Sequence, residues 1–394
     1  MALPSGLGRI AVRIARLVPD RLLAAIAPRR LGFAPADRFA LRAPADRPVR
    51  LLIAPANFAG QGWQWARAAE RDPRVSAVAM AYSAGVDYGY PVDQRVPGSV
   101  YLMSRTWQRR QRADVLHGFT HVIIEAGRHL FGDVYGTSVA DEVRALREAG
   151  IRVALLSHGS DLRSPERHAR EHPYSPYTGD QWPLTPVLAE EAARHRALIE
   201  QAGAPVFIST LGLRDDAPQA TWLPVVIDPD RWRTSAEVLT ADVPLVVHAP
   251  SSTVVKGTQL IEPIVERLVA EGLIRYERIT GVPADEMPAF FGRADIVLDQ
   301  FRIDDYGVAA CEAMAAGRVV VGAVDTRVRD RVREQTGRDL PIVQADPASL
   351  EQVLRGLLAD RAGARAIALQ GPSFVREVHD GAWSSRALAS FLAS

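Results

Sequence analysis

From Val49 onward the chain alternates short apolar runs with stretches whose apolar residues recur every three to four positions. Runs of four to eight residues fit buried strands, and the longer recurrence fits helices packed by one face. LLIA (51–54), VSAVAMAY (75–82), HVIIEA (121–126), IRVALLS (151–157) and PVFIST (205–210) are predicted strands. Helices are predicted from the Gly60/Gly62 loop through Trp65 to Arg71, and over ADEVRALREAG (140–150), which Gly150 stops. Near-continuous apolar strands separated by helices predict a parallel sheet covered on both faces.

The pattern restarts after a Pro- and Asp-rich passage, LPVVIDPDRW (223–232). The second half reads as strands PLVVHAP (244–250), IRYERIT (274–280), DIVLDQ (295–300) and RVVVGAV (318–324). Between them stand helices TQLIEPIVERLVAEG (258–272), ADEMPAFFGRA (284–294) and GVAACEAMAAG (307–317). This is a second doubly wound α/β unit, with the boundary near residues 225–243. Two such domains predict a cleft between them, a favoured place for a ligand.

Composition narrows the function. The 394 residues hold enough apolar material for two cores, and a formal net charge of +1 gives no reason to expect a nucleic-acid partner. The single cysteine, Cys311, cannot close an internal disulfide and fits a reducing compartment. No apolar run approaches the roughly 20 residues of a membrane span. Arg9, Arg13, Arg16 and Arg21 interrupt any signal-peptide core, so a cytoplasmic protein is expected. The arginines at 9, 13 and 16 share one helical face, while Leu7, Ile10, Ile14, Leu17 and Val18 share another. Residues 7–30 could therefore lie on an anionic membrane surface at its inner face, or simply pack on their own domain.

Three segments carry candidate chemistry. In DYGVAACEAMAAG (305–317) a helix opens at Gly307 and closes at Gly317. The first-turn amides of Gly307, Val308 and Ala309 would have no intrahelical acceptor and suit a diphosphate, and Gly307 lets it come close. Glu312, set among small apolar residues, must find hydrogen-bond partners; a ribose diol or an internal donor would serve equally. In HAPSSTVVKGTQLI (248–261), Lys256 at a helix start could neutralise phosphate, though taken alone it reads as a solvated loop lysine. In LLSHGSDLRSP (155–165) a buried strand delivers His158 to the carboxyl edge of the first sheet, where α/β domains place ligands. The spacing is not that of a nucleophile elbow, and a lone histidine there is more often structural.

Together these segments resemble retaining GT-B glycosyltransferases of the family-4 type. The resemblance rests on KGT (256–258), GVPADEM (281–287), ADIVLDQF (294–301) and YGVAACEAMAAGRVVV (306–321). LPVVIDPDRW resembles the family's interdomain passage, and SFVREVHDGAWSSRALASFL (373–392) its C-terminal helix, which crosses back to the first domain. Coverage is good from about residue 220 to 392; before that only HGSD and the Gly60/Gly62 loop match.

The resemblance implies an α/β fold with two Rossmann-like doubly wound parallel-sheet domains facing a central cleft. It implies a basic segment over 1–48, an acceptor domain over 49–228, a donor domain over 229–372 and the returning helix over 373–394. A sugar would pass from a nucleotide-sugar to a hydroxyl of a glycan, lipid-linked or small-molecule acceptor, with retention and with no metal or cofactor. Glu312 would hold the ribose, Lys256 the diphosphate, and the backbone at Val282 and Pro283 would frame the base. Tyr306, Gly307, Val308 and Ala309 complete the donor site, and Gly60 and Gly62 form an acceptor or phosphate loop. His158 would act near the donor sugar and the attacking hydroxyl. The family's first glutamate is replaced by Asp304, and its upstream arginine by a loop carrying Ser251 and Ser252. A sugar-nucleotide epimerase of the same fold, and a non-catalytic nucleotide-sugar-binding protein, are the alternatives.

Other features have plainer readings. Asp228 and Asp230 are expected in a turn, not on a metal. His168 and His172 share a helical spacing without the glutamate of a zinc motif and are expected at the surface. Trp63 and Trp65 are expected to pack on the adjacent helix, and Cys311 to be a small core residue.

Overall fold

A computed structural model describes residues 14, 17–26, 35–41, 47–83, 88–133 and 138–393. These form two compact units. One holds the described residues through Asp161, Arg194–Phe207 and the chain from Ser385; the other holds Leu162–Ala193 and Ile208–Ser384.

The first half of the chain supplies β1 (Val49–Ala54), β2 (Val75–Tyr82), β3 (Gln94–Val96), β4 (His121–Glu125), β5 (Leu130–Asp133), β6 (Arg152–Ser157), β7 (Val206–Ile208) and the two-residue β8 (Thr221–Trp222). The sheet order is β3-β2-β1-β4-β6-β7-β8, with β5 outside it. β1 pairs in parallel with β2, opposing Leu51 to Ala77, and with β4, opposing Leu51 to His121. β4 is buried along its whole length and β6 from Val153 onward, as a sheet covered on both faces requires. The helix Gln61–Ala69 packs on β1 and β2 through the fully buried Trp65. The helix Arg105–Gly118 buries Trp107 and is capped by Ser104, whose Oγ accepts the Trp107 N–H at 3.1 Å. That hydroxyl donates to Asp20 Oδ2 at 2.6 Å, fixing the helix Asp20–Ile26 to the unit, while Leu23 packs on Met103.

The second unit carries β9 (Leu245–His248), β10 (Arg275–Arg278), β11 (Ile296–Leu298), β12 (Val319–Gly322) and β13 (Ile342–Gln344), ordered β10-β9-β11-β12-β13. All its recorded pairings are parallel. Strand alternation divides its core into two layers. Leu245, Val247, Val297 and Val320 join Met314, Phe291 and Phe374 on one face. Val246, Ile296, Leu298, Val319 and Val321 join Ile261, Leu268 and Leu354 on the other.

Two expectations about elements need correcting. The C-terminal stretch is two helices, Gln370–Val378 and Ala382–Ala393, not one over 373–392. His379 breaks it, with Nδ1 bonded to the Val225 carbonyl at 2.8 Å and its own carbonyl accepting the Ile227 N–H at 2.7 Å. Gly381 then takes a φ of +94°, and Asp380 caps the next helix at Ala382 N. The edge strands β3 and β13 were not foreseen, since three residues give no readable period. Of the proposed membrane stripe, Leu7, Arg9, Ile10, Arg13 and Arg16 lie outside the described residues.

Candidate functional site

On the second unit, the helix Val308–Ala315 follows the loop that leaves β11. Its far end is a Schellman closure: Gly317, at φ +67°, donates to Met314 O, and Arg318 N donates to Ala313 O, both at 3.0 Å. At its start Gly307 is extended, and a Cβ built there would meet no atom within 4 Å. The amides of Gly307, Val308 and Ala309 donate to no described residue. Three hydrogen-bond donors therefore border open space at a positive helix end.

Glu312 lies one turn on, partly buried, with no hydrogen bond from its carboxylate to a described residue. Burial pushes its pKa up to about 8; Arg231 and Lys256 pull the other way, and Asp299 adds to the rise. Cys311 beside it is fully buried, as expected of a core residue.

Lys256 ends the helix Thr253–Lys256, whose N-cap is Ser252. Its ammonium pairs with the buried Asp299 and is nearly buried itself, unlike a solvated loop lysine. Ser251 is exposed, and the Ser252 hydroxyl is occupied in capping. Gly257 turns the chain at φ +76°, where a Cβ would meet Arg302 Cγ at 3.0 Å, so the Arg302 stem runs against this turn. At the GVP segment Val282 packs at the core margin, Pro283 is exposed, and the Ala284 carbonyl accepts from Arg231 at 2.8 Å. Tyr306 differs from its neighbours: its ring is buried, with the hydroxyl 3.4 Å from His379 Nε2, and its backbone N–H donates to Asp305 Oδ1 at 2.9 Å.

Asp304 has φ +57°, uncommon for a non-glycine residue. One of its oxygens, Oδ2, lies 2.9 Å from His172 Nδ1. His168 and His172 are buried, not at the surface, because the segment from Tyr174 to Tyr177 and the Ile303 carbonyl close over them. Both His168 nitrogens are engaged, by Ser175 Oγ at 2.7 Å and Ile303 O at 3.2 Å. Burial, aided by Arg163, lowers its pKa to about 2, so it is neutral. Among the described residues His168, His172 and Asp304 hold metal-capable atoms within 4.8 Å of one another. Asp228 and Asp230 form the expected turn, with Asp230 N donating to Asp228 Oδ1 at 3.1 Å.

On the first unit, His158 follows β6 at the sheet's carboxyl edge. Its Nε2 is 3.2 Å from Oε1 of the fully buried Glu125, the last residue of β4. Glu125 Oε2 accepts the amides of Ala56 and Asn57 at 2.9 and 3.0 Å. The His158 ring meets Phe58 edge-on at 4.9 Å and Trp65 at 5.5 Å. Asp161 accepts the amides of His158 and Gly159. Burial would raise the Asp161 pKa, but bonding and charge from His195, with His158, hold it at about 2. Gly60 has φ +75° at the N-cap of the helix Gln61–Ala69, and a Cβ there would meet Tyr90 at 3.0 Å. A Cβ on Gly62 would crowd Asn57 and Glu125. These two glycines thus let the loop close on the carboxylate that faces His158. Trp65 is core, and Trp63 lies under the Arg67 guanidinium.

Sequence reasoning missed Glu125, Asp299, Arg231 and His172. Glu125 and Asp299 had a readable signal, each a carboxylate closing an apolar strand where ligands gather.

Solved structures of similar fold cover nearly the whole chain. Sucrose-phosphate synthase from Thermosynechococcus elongatus aligns at TM-score 0.59 and 15% identity, over 89% of this chain and 100% of that one. HepE from Anabaena, in complex with UDP, aligns at TM-score 0.56 and 13% identity, over 87% and 99%. Its complex with UDP-glucose gives 0.53 and 13%, over 87% and 98%. No family profile and no curated protein sequence matches the chain. At such identities the likeness speaks for fold, and in fold this is a GT-B protein: α/β, with two Rossmann-like parallel-sheet units.

Proposed function

We propose that this protein is a glycosyltransferase that moves a sugar from a nucleotide-sugar to a hydroxyl acceptor, retaining the anomeric configuration and using no metal. The observation that carries the reading is the open helix start at Gly307–Ala309, with three amides lacking acceptors, followed one turn later by a carboxylate lacking a donor. A diphosphate satisfies the first and a ribose diol the second. Lys256 adds a cation, although Asp299 already shares it. Val282 and Pro283 frame the base, and His158 is the proposed catalytic side chain of the first unit. That HepE was solved with UDP and with UDP-glucose makes these the first ligands to try.

Calorimetric titration with UDP and UDP-glucose tests donor binding, and product analysis with hydroxyl acceptors tests transfer. Binding followed by transfer, with the donor's anomeric configuration kept, supports the reading. Sugar-nucleotide interconversion without acceptor would indicate an epimerase, and binding without turnover a non-catalytic protein.

The acceptor would be a glycan, a lipid-linked sugar or a small molecule, met in the cytoplasm or at the inner membrane face. Ile14, Leu17 and Leu22 are exposed apolar side chains of the N-terminal segment, while Leu23 is packed inward. Co-sedimentation with anionic but not neutral vesicles, weakened by salt, is the expected outcome if residues 7–30 dock on a membrane.

A further inference from the structure

We infer that Arg128 is a specificity-determining residue for the acceptor: with the Tyr82 hydroxyl it forms an oxyanion subsite, so that the acceptor carries a phosphate or carboxylate group. The inference rests on the acceptor half of the proposed reading.

Arg128 is a half-buried cation that pairs with no carboxylate among the described residues. Its side chain donates from Nη1 to the Tyr82 hydroxyl at 3.0 Å, and its other guanidinium N–H groups donate to no described residue. A planar guanidinium with N–H groups to spare matches the paired oxygens of a carboxylate or phosphate. The Tyr82 hydroxyl, having accepted from Arg128, donates to no described residue and is left for the same anion. Glu125 opens the turn that leads to Arg128 but is not its counter-ion. It is fully buried, Oε2 accepts the amides of Ala56 and Asn57, and Oε1 faces His158.

The guanidinium is aimed in advance. It lies over the Phe58 ring, 4.9 Å from the centroid, and 5.8 Å from the centroid of Tyr82. Tyr82 stacks on the buried Tyr101 at 4.0 Å with the rings 7° from parallel, and the Tyr101 hydroxyl donates to the His129 carbonyl. Phe58 also links Arg128 to His158, whose ring meets it at 4.9 Å with the planes 88° apart. One small molecule can thus place its anion at Arg128 and a hydroxyl beside His158. Left-handed backbone presents both walls. Arg128 follows Ala126 and Gly127, at φ +55° and +58°, in a turn closed by its own N–H on the Glu125 carbonyl at 3.1 Å. A Cβ on Gly127 would strike His195 at 2.9 Å. Phe58 stands between Asn57 and Ala59, at φ +52° and +49°. The Asn57 side chain is tied to Trp63 N and Pro91 O, each at 2.9 Å. Such backbone persists where surrounding structure enforces it, which is common at ligand sites.

The test uses one sugar ring with and without an acid. Glucose, glucose 6-phosphate and glucuronate are titrated into the full chain, followed by ligand-observed NMR, in the wild type, Arg128→Gln and Arg128→Lys. UDP affinity is measured alongside. In the wild type an acidic sugar should bind about tenfold or more tighter than glucose, as charge-assisted hydrogen bonds would give. The larger gain, from phosphate or from carboxylate, identifies the acceptor's acidic group. Arg128→Gln should lose that gain while glucose and UDP bind as before. Arg128→Lys keeps the charge without the fork and should keep only part of the gain, a readout that stands if the glutamine variant does not fold. No preference for either acid in the wild type would overturn the inference, as would a full preference in Arg128→Gln or Arg128→Lys. Loss of the preference with UDP still bound sinks this inference alone. A wild type that prefers the acids but binds no nucleotide sinks the donor reading and leaves the anion subsite standing.

Discussion

The two units place opposite kinds of polar chemistry at their sheet edges. Around His158 the fold draws the polar groups toward one another inside the unit. Glu125 Oε2 takes two amides while its Oε1 faces the imidazole at 3.2 Å, and Asp161 takes two amides beside His195. Around Gly307 they are left waiting: three amides without acceptors and a carboxylate without a donor. Groups that meet inside the fold show their value in stability. Groups that border open space show it only when a ligand arrives.

The sharpest way to break this contrast is Glu312→Ala. Two ribose hydroxyls bonded to a carboxylate are each worth roughly 1.5–3 kcal/mol, so nucleotide affinity should fall about a hundredfold or more. The melting temperature should hold or rise, because a poorly solvated carboxyl is removed. Normal nucleotide binding with a lowered melting temperature would make Glu312 structural.

On the other unit, Glu125→Ala should act on stability. It strands the Ala56 and Asn57 amides in the interior, a loss of about 2–3 kcal/mol in urea unfolding. Nucleotide affinity should not change. A variant as stable as the parent would mean that water replaces the carboxylate and that the network is not what holds His158.

Two glycines repeat the comparison at smaller scale. Gly60→Ala forces a side chain into φ +75° against Tyr90 and should cost about 1–2 kcal/mol of stability. Gly307→Ala meets open space in an extended backbone and should leave stability unchanged. Its methyl would instead stand where the phosphate comes, weakening nucleotide binding by about tenfold. Equal behaviour of the two variants in both assays would erase the distinction.

The pH dependence follows from Glu312. Its folded pKa of about 8 lies above the ordinary 4.5, so the folded state binds the proton more tightly than the unfolded one. Stability from this group is full below about 4.5 and declines as pH rises through about 8. Glu312→Gln should therefore gain stability relative to the parent between pH 5 and 9, in melts across that range. Because a ribose diol favours the ionised carboxylate, nucleotide binding near pH 7 should release a proton. Calorimetry in two buffers of different ionisation heat measures it.

The smallest expected effect is none. Prolonged chelation should leave transfer activity intact, since phosphate charge is met by amides and Lys256. Loss of activity that zinc restores would turn attention to His168, His172 and Asp304.

Period and punctuation in the sequence sufficed for the two sheets, the strand that ends at His158 and the helix opened by Gly307 and closed by Gly317, because these depend on neighbours within a few residues. The same local logic foresaw the free amides and a half-buried Glu312 in need of partners. It could not say that Lys256 would meet Asp299, that Glu125 would stand behind His158, or that His172 would face Asp304. Those partners lie 43, 33 and 132 residues apart in the chain. It also misjudged His168 and His172, whose spacing on a short polar helix reads as exposed until a distant loop covers them. Local sequence writes the backbone conformation and leaves the polar groups in place. Only tertiary packing decides which of them find one another and which remain for a ligand, because desolvation and pairing depend on what the rest of the chain brings alongside.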